Sequence, residues 1–373
     1  MTLSTCLPAR IGLAALRAGL FLAAAMASAP AQAAEFEASA LLAVGSPEWL
    51  ARRGWSHAFL TVSDEGPVQK CLGLMVREAD GGAWSLRRLG ARQRGGASDD
   101  AEALARHGGW IYVIGSHCGP KGGPLRQERH FVARLAETDL EAAPDGEPLA
   151  VTVASTGFRL HRLLNDALRQ SGIELLPRKD REAAAFIDAA RRTADPAAAQ
   201  IAEGDRALNI EGAAFEPGGA LLLGLRYPPS AEGHPILVRI EHVAALFDAG
   251  AGALSVSGVW TLDNVGDRAA PAGVRALAFH GGAFHVLTGQ LESKRRKSAL
   301  LEDHPEGDRA RSAHHVLDWP QPPGPAAARR VHDFADAGDV EGIAFDPAGR
   351  PHYIRDDRGA RPFTVATRTD PSR

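Results

Sequence analysis

Short apolar runs, alternating with polar positions or continuous over roughly five to seven residues, recur along the chain and are punctuated by glycine. That period of two with glycine breaks predicts antiparallel hairpins. Four segments share one plan: DAEALARHGGWIYVIGSH from Asp100, NIEGAAFEPGGALLLGLR from Asn209, GVRALAFHGGAFHVLTGQ from Gly273 and DVEGIAFDPAGRPHYIRD from Asp339. Each sets Glu102, Glu211, Arg275 or Glu341 ahead of a small residue, an apolar position and an alanine, then turns on glycine into a strand-length apolar run. A weaker fifth copy is read at EWLARRG, Glu48 to Gly54, which echoes EALARHG from Glu102.

Further strand-like runs, KCLGLMV, HFVARLA, LAVTVAS, PILVRIE and LSVSGVW, lie between the copies. Each unit therefore offers about four short strands that can bury their faces only against neighbouring units, the requirement of a β-propeller. The interval from Glu102 to Glu211 is roughly double the others. Phe158, Leu160, Leu163, Leu164 and Leu168 recur there at helical spacing, and Arg181 to Arg192 is rich in alanine, so a helical insertion is predicted over residues 158–205. A short helix is expected over Glu241 to Phe247. The fold expected is all-β, a single propeller of five blades, with six as the alternative. The last unit lacks an outermost strand, and FEASALLAV from Phe36 is expected to fill that place and close the ring.

Arg10 and Arg17 precede an apolar run from Gly19 to Ala27 and the small-residue site Ala31-Gln32-Ala33. This is a secretory signal pattern, with cleavage expected after Ala33, so residues 1–33 are assigned to the signal and 34–373 to the propeller. Export to the periplasm or the medium follows, with no integral membrane segment after cleavage. Of three cysteines, Cys6 leaves with the signal; Cys71 and Cys118 remain and are expected to pair in an oxidising compartment, two free thiols being the alternative. A formal net charge of −3 excludes a strong phosphate-neutralising surface and hence nucleic acid as a partner.

In a propeller the two ends of each inner hairpin meet on one face. Glu102 is thereby brought near His117, Glu211 near Arg226, Arg275 near Gln290 and Glu341 near Asp356, and together with Glu48 they are expected to line the channel mouth. Clustered carboxylates and guanidinium groups there would shift one another's protonation or hold a cation. Alternatively the glutamates fasten blade to blade through arginines such as Arg226, Arg275 and Arg355. The loop from Ser116 to His130 adds Lys121, Arg126 and Arg129, and the acidic pairs Asp64-Glu65, Asp99-Asp100 and Asp356-Asp357 offer oxygen ligands suited to Ca²⁺. No GxSxG, P-loop, HExxH or GxGxxG motif in strand-helix context is found.

EALARHGGWIYVIGSH with the basic loop to Arg134, LNIEGAAFEPGGALLLGLRYP and VEGIAFDPAGR resemble a family of exported bacterial propeller-like proteins catalogued as a domain of unknown function. The EGxA phrase and TVSDEG from Thr61 also resemble, more loosely, phytase-like and esterase-like propellers. The second resemblance implies a carboxylate-lined mouth at which Ca²⁺ binds phosphate and activates water. Arg275 stands at one otherwise acidic position, a departure from that pattern. The functions expected are therefore binding of a small polar or anionic ligand, or of another protein, at the mouth; the alternative is Ca²⁺-assisted hydrolysis of phosphoesters or esters.

Overall fold

A computed structural model describes residues 36–143, 145–293, 297–334, 339–357, 359 and 361–365. The predicted signal segment lies outside them, as do Lys294 to Arg296.

The apolar runs form five mainly antiparallel sheets. Blade 1 orders Leu42–Ala43, Trp55–Val62, Leu72–Glu78 and Trp84–Leu89. Blade 2 begins at the axis with Ala101–His107, passes outward through Trp110–Gly115, Phe131–Ala136 and Leu149–Ser155, and adds Ala91–Gly95 in parallel at its edge. Blade 3 runs from Asn209–Phe215 through Leu221–Tyr227 and Ile236–Glu241 to Ser255–Leu262, with Gly324–Ala326 parallel at the edge. Blade 4 comprises Ala272–His280, Ala283–Gln290, Ala313–Asp318 and Arg329–Asp333. Blade 5 has Val340–Phe345 and Pro351–Arg355, with a bridge from Tyr353 to Phe363. Two inner hairpins turn on Gly108-Gly109 and Gly281-Gly282, all four with positive φ, the geometry of a type I′ turn that suits twisted strands.

The buried apolar residues show how the sheets are arranged, because each main cluster joins two successive blades. Leu60, Leu72 and Val76 pack with Leu104, Val113 and Phe131 between blades 1 and 2. Ile114 and Tyr112 pack with Ile210 and Leu223 between blades 2 and 3; Leu222 and Leu237 with Val274 and Phe284 between blades 3 and 4. Leu287 meets Val340 and Tyr353 between blades 4 and 5, and Ile354 meets Phe36, Phe59 and Met75 between blades 5 and 1. The succession returns to its start, so the described residues form a closed five-bladed propeller in which each blade buries its faces on its neighbours.

Closure differs from the sequence expectation. FEASALLAV does not complete the outside of blade 5. It runs along the axis as the innermost strand of blade 1, with Ser39 N donating to Val62 O (2.8 Å) and Val44 N to Ala58 O (3.0 Å). Gly342 of blade 5 comes so close that a Cβ there would lie 2.9 Å from Leu41 N, a backbone approach only glycine permits.

The insertion is helical as expected. Arg159–Gln170 forms its longest helix, Asp180–Arg191 is helical with a π-type segment over Ala183–Asp188, and Pro196–Gln200 adds a 3-10 turn. The short helix expected near Glu241 is a 3-10 turn over Val243–Leu246. Phe158, Phe186 and Ile187 pack with Cys118 and Leu125 of the blade 2 loop and with Leu291 and Leu300 after blade 4. A buried polar knot anchors this cap: Arg206 Nε and Nη2 donate to Glu182 (both 2.9 Å), and Tyr227 OH donates to Glu182 Oε2 (2.7 Å).

Candidate functional site at the axial mouth

Glu102, Glu211, Arg275 and Glu341 are all extra residues in their inner strands. Ala101 pairs with Gly115 and Ala103 with Ile114, so Glu102 has no opposite number. The same break falls at Glu211, Arg275 and Glu341. A bulge leaves one residue out of the ladder and re-aims its side chain; repeated around the ring, it turns four long side chains to the same opening. They line a cavity of about 390 Å³ together with Arg226 and Asp356. The position in blade 1 is Glu37, which also lines the cavity.

Among the described residues eleven carboxyl side chains and four cationic ones line the opening, and they are unevenly spread. On the side of blades 3 to 5 the charges are paired. Arg226 Nη1 donates to Glu211 Oε1 (2.6 Å), Arg275 Nη1 lies 3.1 Å from Glu211 Oε2, and Arg275 Nη2 pairs with Glu341. Arg275, only 2 % exposed, thus links carboxylates of blades 3 and 5. Arg226 Nε also donates to Gln290 O (3.2 Å), and Gln290 Nε2 to Asp339 Oδ2 (2.8 Å). Lys121 reaches from its loop to Glu292. Blade-to-blade fastening therefore describes what Arg226 and Arg275 do.

On the side of blades 1 and 2 the carboxylates face one another. Asp64, Asp100 and Glu102 each place an oxygen within 4.8 Å of the other two. Arg129 Nη1 lies 2.8 Å from Asp100 Oδ2 and its Nε 3.3 Å from Asp99. Burial, reinforced by Asp100 and Asp356, pushes the Asp64 carboxyl up to about 7. Burial raises Asp100 to about 6 despite Arg129 and Ser116, and burial with Glu211, Asp100 and Asp64 nearby holds Glu102 well above the usual carboxylate range. Asp356 is raised by burial too, against the pull of Arg275. Asp64 Oδ1 is buried with no hydrogen-bond partner. Hard oxygen ligands converging in this way suit Ca²⁺, which takes carboxylate oxygens and water and tolerates irregular geometry.

Three residues expected at the mouth stand elsewhere. Glu48 lies in the first turn of a helix, Pro47–Arg53, capped by the Ser46 side chain and ended by Gly54 in the left-handed conformation. Gln290 stands one hydrogen bond behind the lining. His117 turns inward at φ +58° and is fully buried; its ring packs 5.0 Å from His130, which packs 5.6 Å from His161. Burial and the neighbouring His130 hold His117 well below the usual histidine range. The expected disulfide is also corrected. Cys71 and Cys118 are both free and buried, Cys71 between blades 1 and 2 and Cys118 under the helical cap.

The overlooked residues had signals. Glu37-Ala38-Ser39-Ala40-Leu41 repeats the Glu102-Ala103-Leu104-Ala105 phrase, and Ser46-Pro47 before an apolar run followed by Gly54 marks a helix start and stop.

No family model matches the chain, and no curated protein matches it. Among solved structures, an exo-1,5-α-L-arabinanase from a bovine ruminal metagenomic library is similar at 9% identity, covering 88% of this chain and 89% of the other, with a TM-score of 0.37. GH43B of the Bacteroides ovatus xyloglucan locus aligns at 11% identity over 90% of this chain and 53% of its own, TM-score 0.42. A putative oxidoreductase (glucose dehydrogenase) of Thermus thermophilus aligns at 18% identity over 89% and 95%, TM-score 0.36. The propeller assignment stands on the sheet order and the blade-to-blade clusters.

Proposed function

We propose that this is an exported ligand-binding propeller whose axial mouth holds a divalent cation of the Ca²⁺ class and, through it, a small polar or anionic ligand. The observation that carries this reading is the meeting of Asp64, Asp100 and Glu102 within 4.8 Å. Arg226 and Arg275 are engaged by Glu211 and Glu341, so an anion gains little from them directly. A cation at the acidic side would neutralise like charges that burial now keeps partly protonated, and would present an open coordination face to a ligand in the cavity. A cavity of about 390 Å³ suits a small molecule.

A second reading, Ca²⁺-assisted hydrolysis of a phosphoester or related ester, is favoured by Asp356. Its carboxyl also lines the cavity, and burial raises its pKa, keeping a proton closer to hand for a leaving group. The phytase-like resemblance points the same way.

Thermal melts of the mature protein in millimolar Ca²⁺ against EDTA test both. The binding reading expects a rise in Tm that is lost in Asp64→Asn and Glu102→Gln; no rise overturns it. Turnover of a generic phosphoester only with Ca²⁺ would establish the hydrolase, whereas a Ca²⁺-dependent melt with no turnover would leave binding alone.

A further inference from the structure

A second polar cluster lies on the seam between blades 5 and 1, at the end of the blade 5 hairpin opposite Glu341 and Asp356. His57 comes from the second strand of blade 1, Asp346 from the turn of the blade 5 hairpin and His352 from its returning strand. Both imidazoles aim Nε2 at a single carboxylate oxygen: His57 Nε2 is 3.4 Å and His352 Nε2 3.3 Å from Asp346 Oδ2. The three ligand atoms lie within 4.8 Å of one another.

Behind His57, Ser56 Oγ lies 2.9 Å from Nδ1 and also 3.2 Å from Arg77 O and 3.0 Å from Glu78 O, which holds the ring with Nε2 toward Asp346. His352 presents Nε2 to the same oxygen, and its buried Nδ1 has no partner. The other carboxylate oxygen is occupied, since Asp346 Oδ1 accepts from the backbone of Ala348 and Arg350 (both 2.9 Å). The turn thus holds Asp346 with Oδ2 directed at the two rings.

We propose that His57, Asp346 and His352 form a transition-metal site of the zinc class that staples blade 5 to blade 1. Two imidazoles and a carboxylate are a zinc donor set. Zinc bonds of about 2.0–2.1 Å at tetrahedral angles place ligand atoms about 3.3–3.4 Å apart, the spacing of both histidines from Asp346. Arg350 Nε, 2.7 Å from Oδ2, yields its place; its side chain is 65 % exposed and can swing into solvent. The fourth position goes to water or to a ligand entering the cavity lined by His352 and Trp84. The location has a use: among the described residues blade 5 has two strands and one further bridge, so a metal bound by His57 and by Asp346 and His352 would tie it directly to blade 1.

The test is calorimetric titration of EDTA-treated mature protein with Zn²⁺, and Co²⁺ substitution followed by its visible absorption, on wild type, His57→Gln, His352→Gln and Asp64→Asn. The expected result is one equivalent bound, a tetrahedral Co²⁺ spectrum, a raised Tm, affinity reduced about tenfold or more in either histidine variant, and Asp64→Asn unchanged at this site. His57→Gln, at a ring 12 % exposed, keeps the test usable if His352→Gln fails to fold. Absence of heat and of a Co²⁺ spectrum in the wild type, or unchanged affinity in His57→Gln, overturns the site and leaves the mouth reading untouched.

Discussion

At the scale of single residues, the mouth depends on whether a carboxylate has found a cation within the protein. Asp64 has not, and its folded pKa near 7 stands above its ordinary 3.8. Between those values the folded state holds more protons than the unfolded chain, so this group's stabilising contribution is full below about pH 4 and is lost as pH rises through 7. Melts in EDTA should therefore show Tm falling from pH 4 to 7, with a shallower slope in Asp64→Asn; an identical slope would show that Asp64 is not the group responsible. Arg275 is the opposite case. Arg275→Ala leaves Glu211 and Glu341, 4 % and 7 % exposed, without their shared partner, and should cost about 3–5 kcal/mol in urea unfolding; the double variant Arg275→Ala/Glu211→Ala should cost less than the sum of its singles. A neutral Arg275→Ala would show that this pairing contributes nothing to stability. The residues in this paired half, Glu211, Arg226, Arg275 and Glu341, were legible because a repeated phrase fixes the hairpin ends. In the acidic half Glu102 was legible from the same phrase, and Asp64-Glu65 and Asp99-Asp100 from their composition as candidate oxygen ligands; the meeting of Asp64 and Asp100 with Glu102 was not, because no periodicity sets the direction of a side chain at a connection or at the head of the phrase.

At the scale of elements, local chemistry outweighed phrase similarity. EWLARRG looks like EALARHG, yet Ser46 and Pro47 supply a cap and a first turn and Gly54 supplies the stop, so the segment coils. The true first repeat begins at Glu37, whose phrase matches that of Glu102 except that Ser39 stands where the latter has the apolar Leu104. The same repeat explains why glycine or alanine follows each ring residue: Gly212 sits against Val274 and Leu277 of the next blade, and Gly342 against the backbone of Leu41. Gly342→Val should destabilise by about 1–3 kcal/mol through overpacking at the seam, whereas Gly108, around which a Cβ meets nothing within 4 Å but whose φ is +58°, should lose stability on Gly108→Val through backbone strain alone. Chemical denaturation of the two variants checks this, and an unaffected Gly342→Val would deny the close approach. The helical insertion was legible from Leu160, Leu164 and Leu168, all buried as their spacing demands. Its anchoring through Glu182, Arg206 and Tyr227 was not, since ion pairs between distant stretches of chain leave no local pattern.

At the scale of the molecule, the number of blades was readable from the repeats, and the manner of closure was not. An N-terminal apolar strand can finish either the outside of the last blade or the inside of the first, and alternation alone does not choose; Gly342 and the small residues Ala38 and Ala40 do, by admitting backbone close to backbone at the axis. The disulfide expectation failed for a similar reason, because two cysteines say nothing of distance until the blades are placed. Burial pushes both thiols up to about 12, so in the native protein Cys71 and Cys118 should react negligibly with iodoacetamide at pH 7.5, and each should take up one equivalent after denaturation without reductant. Mass spectrometry reads this directly, and a non-reducing mass two hydrogens lighter would contradict it. The central claim is that the acidic half of the mouth is a cation site, and a crystal grown with Ca²⁺ tests it most directly. The account predicts a peak bounded by oxygens of Asp64, Asp100 and Glu102 at about 2.3–2.6 Å; a mouth filled only by water, with those three carboxylates turned apart, would contradict it.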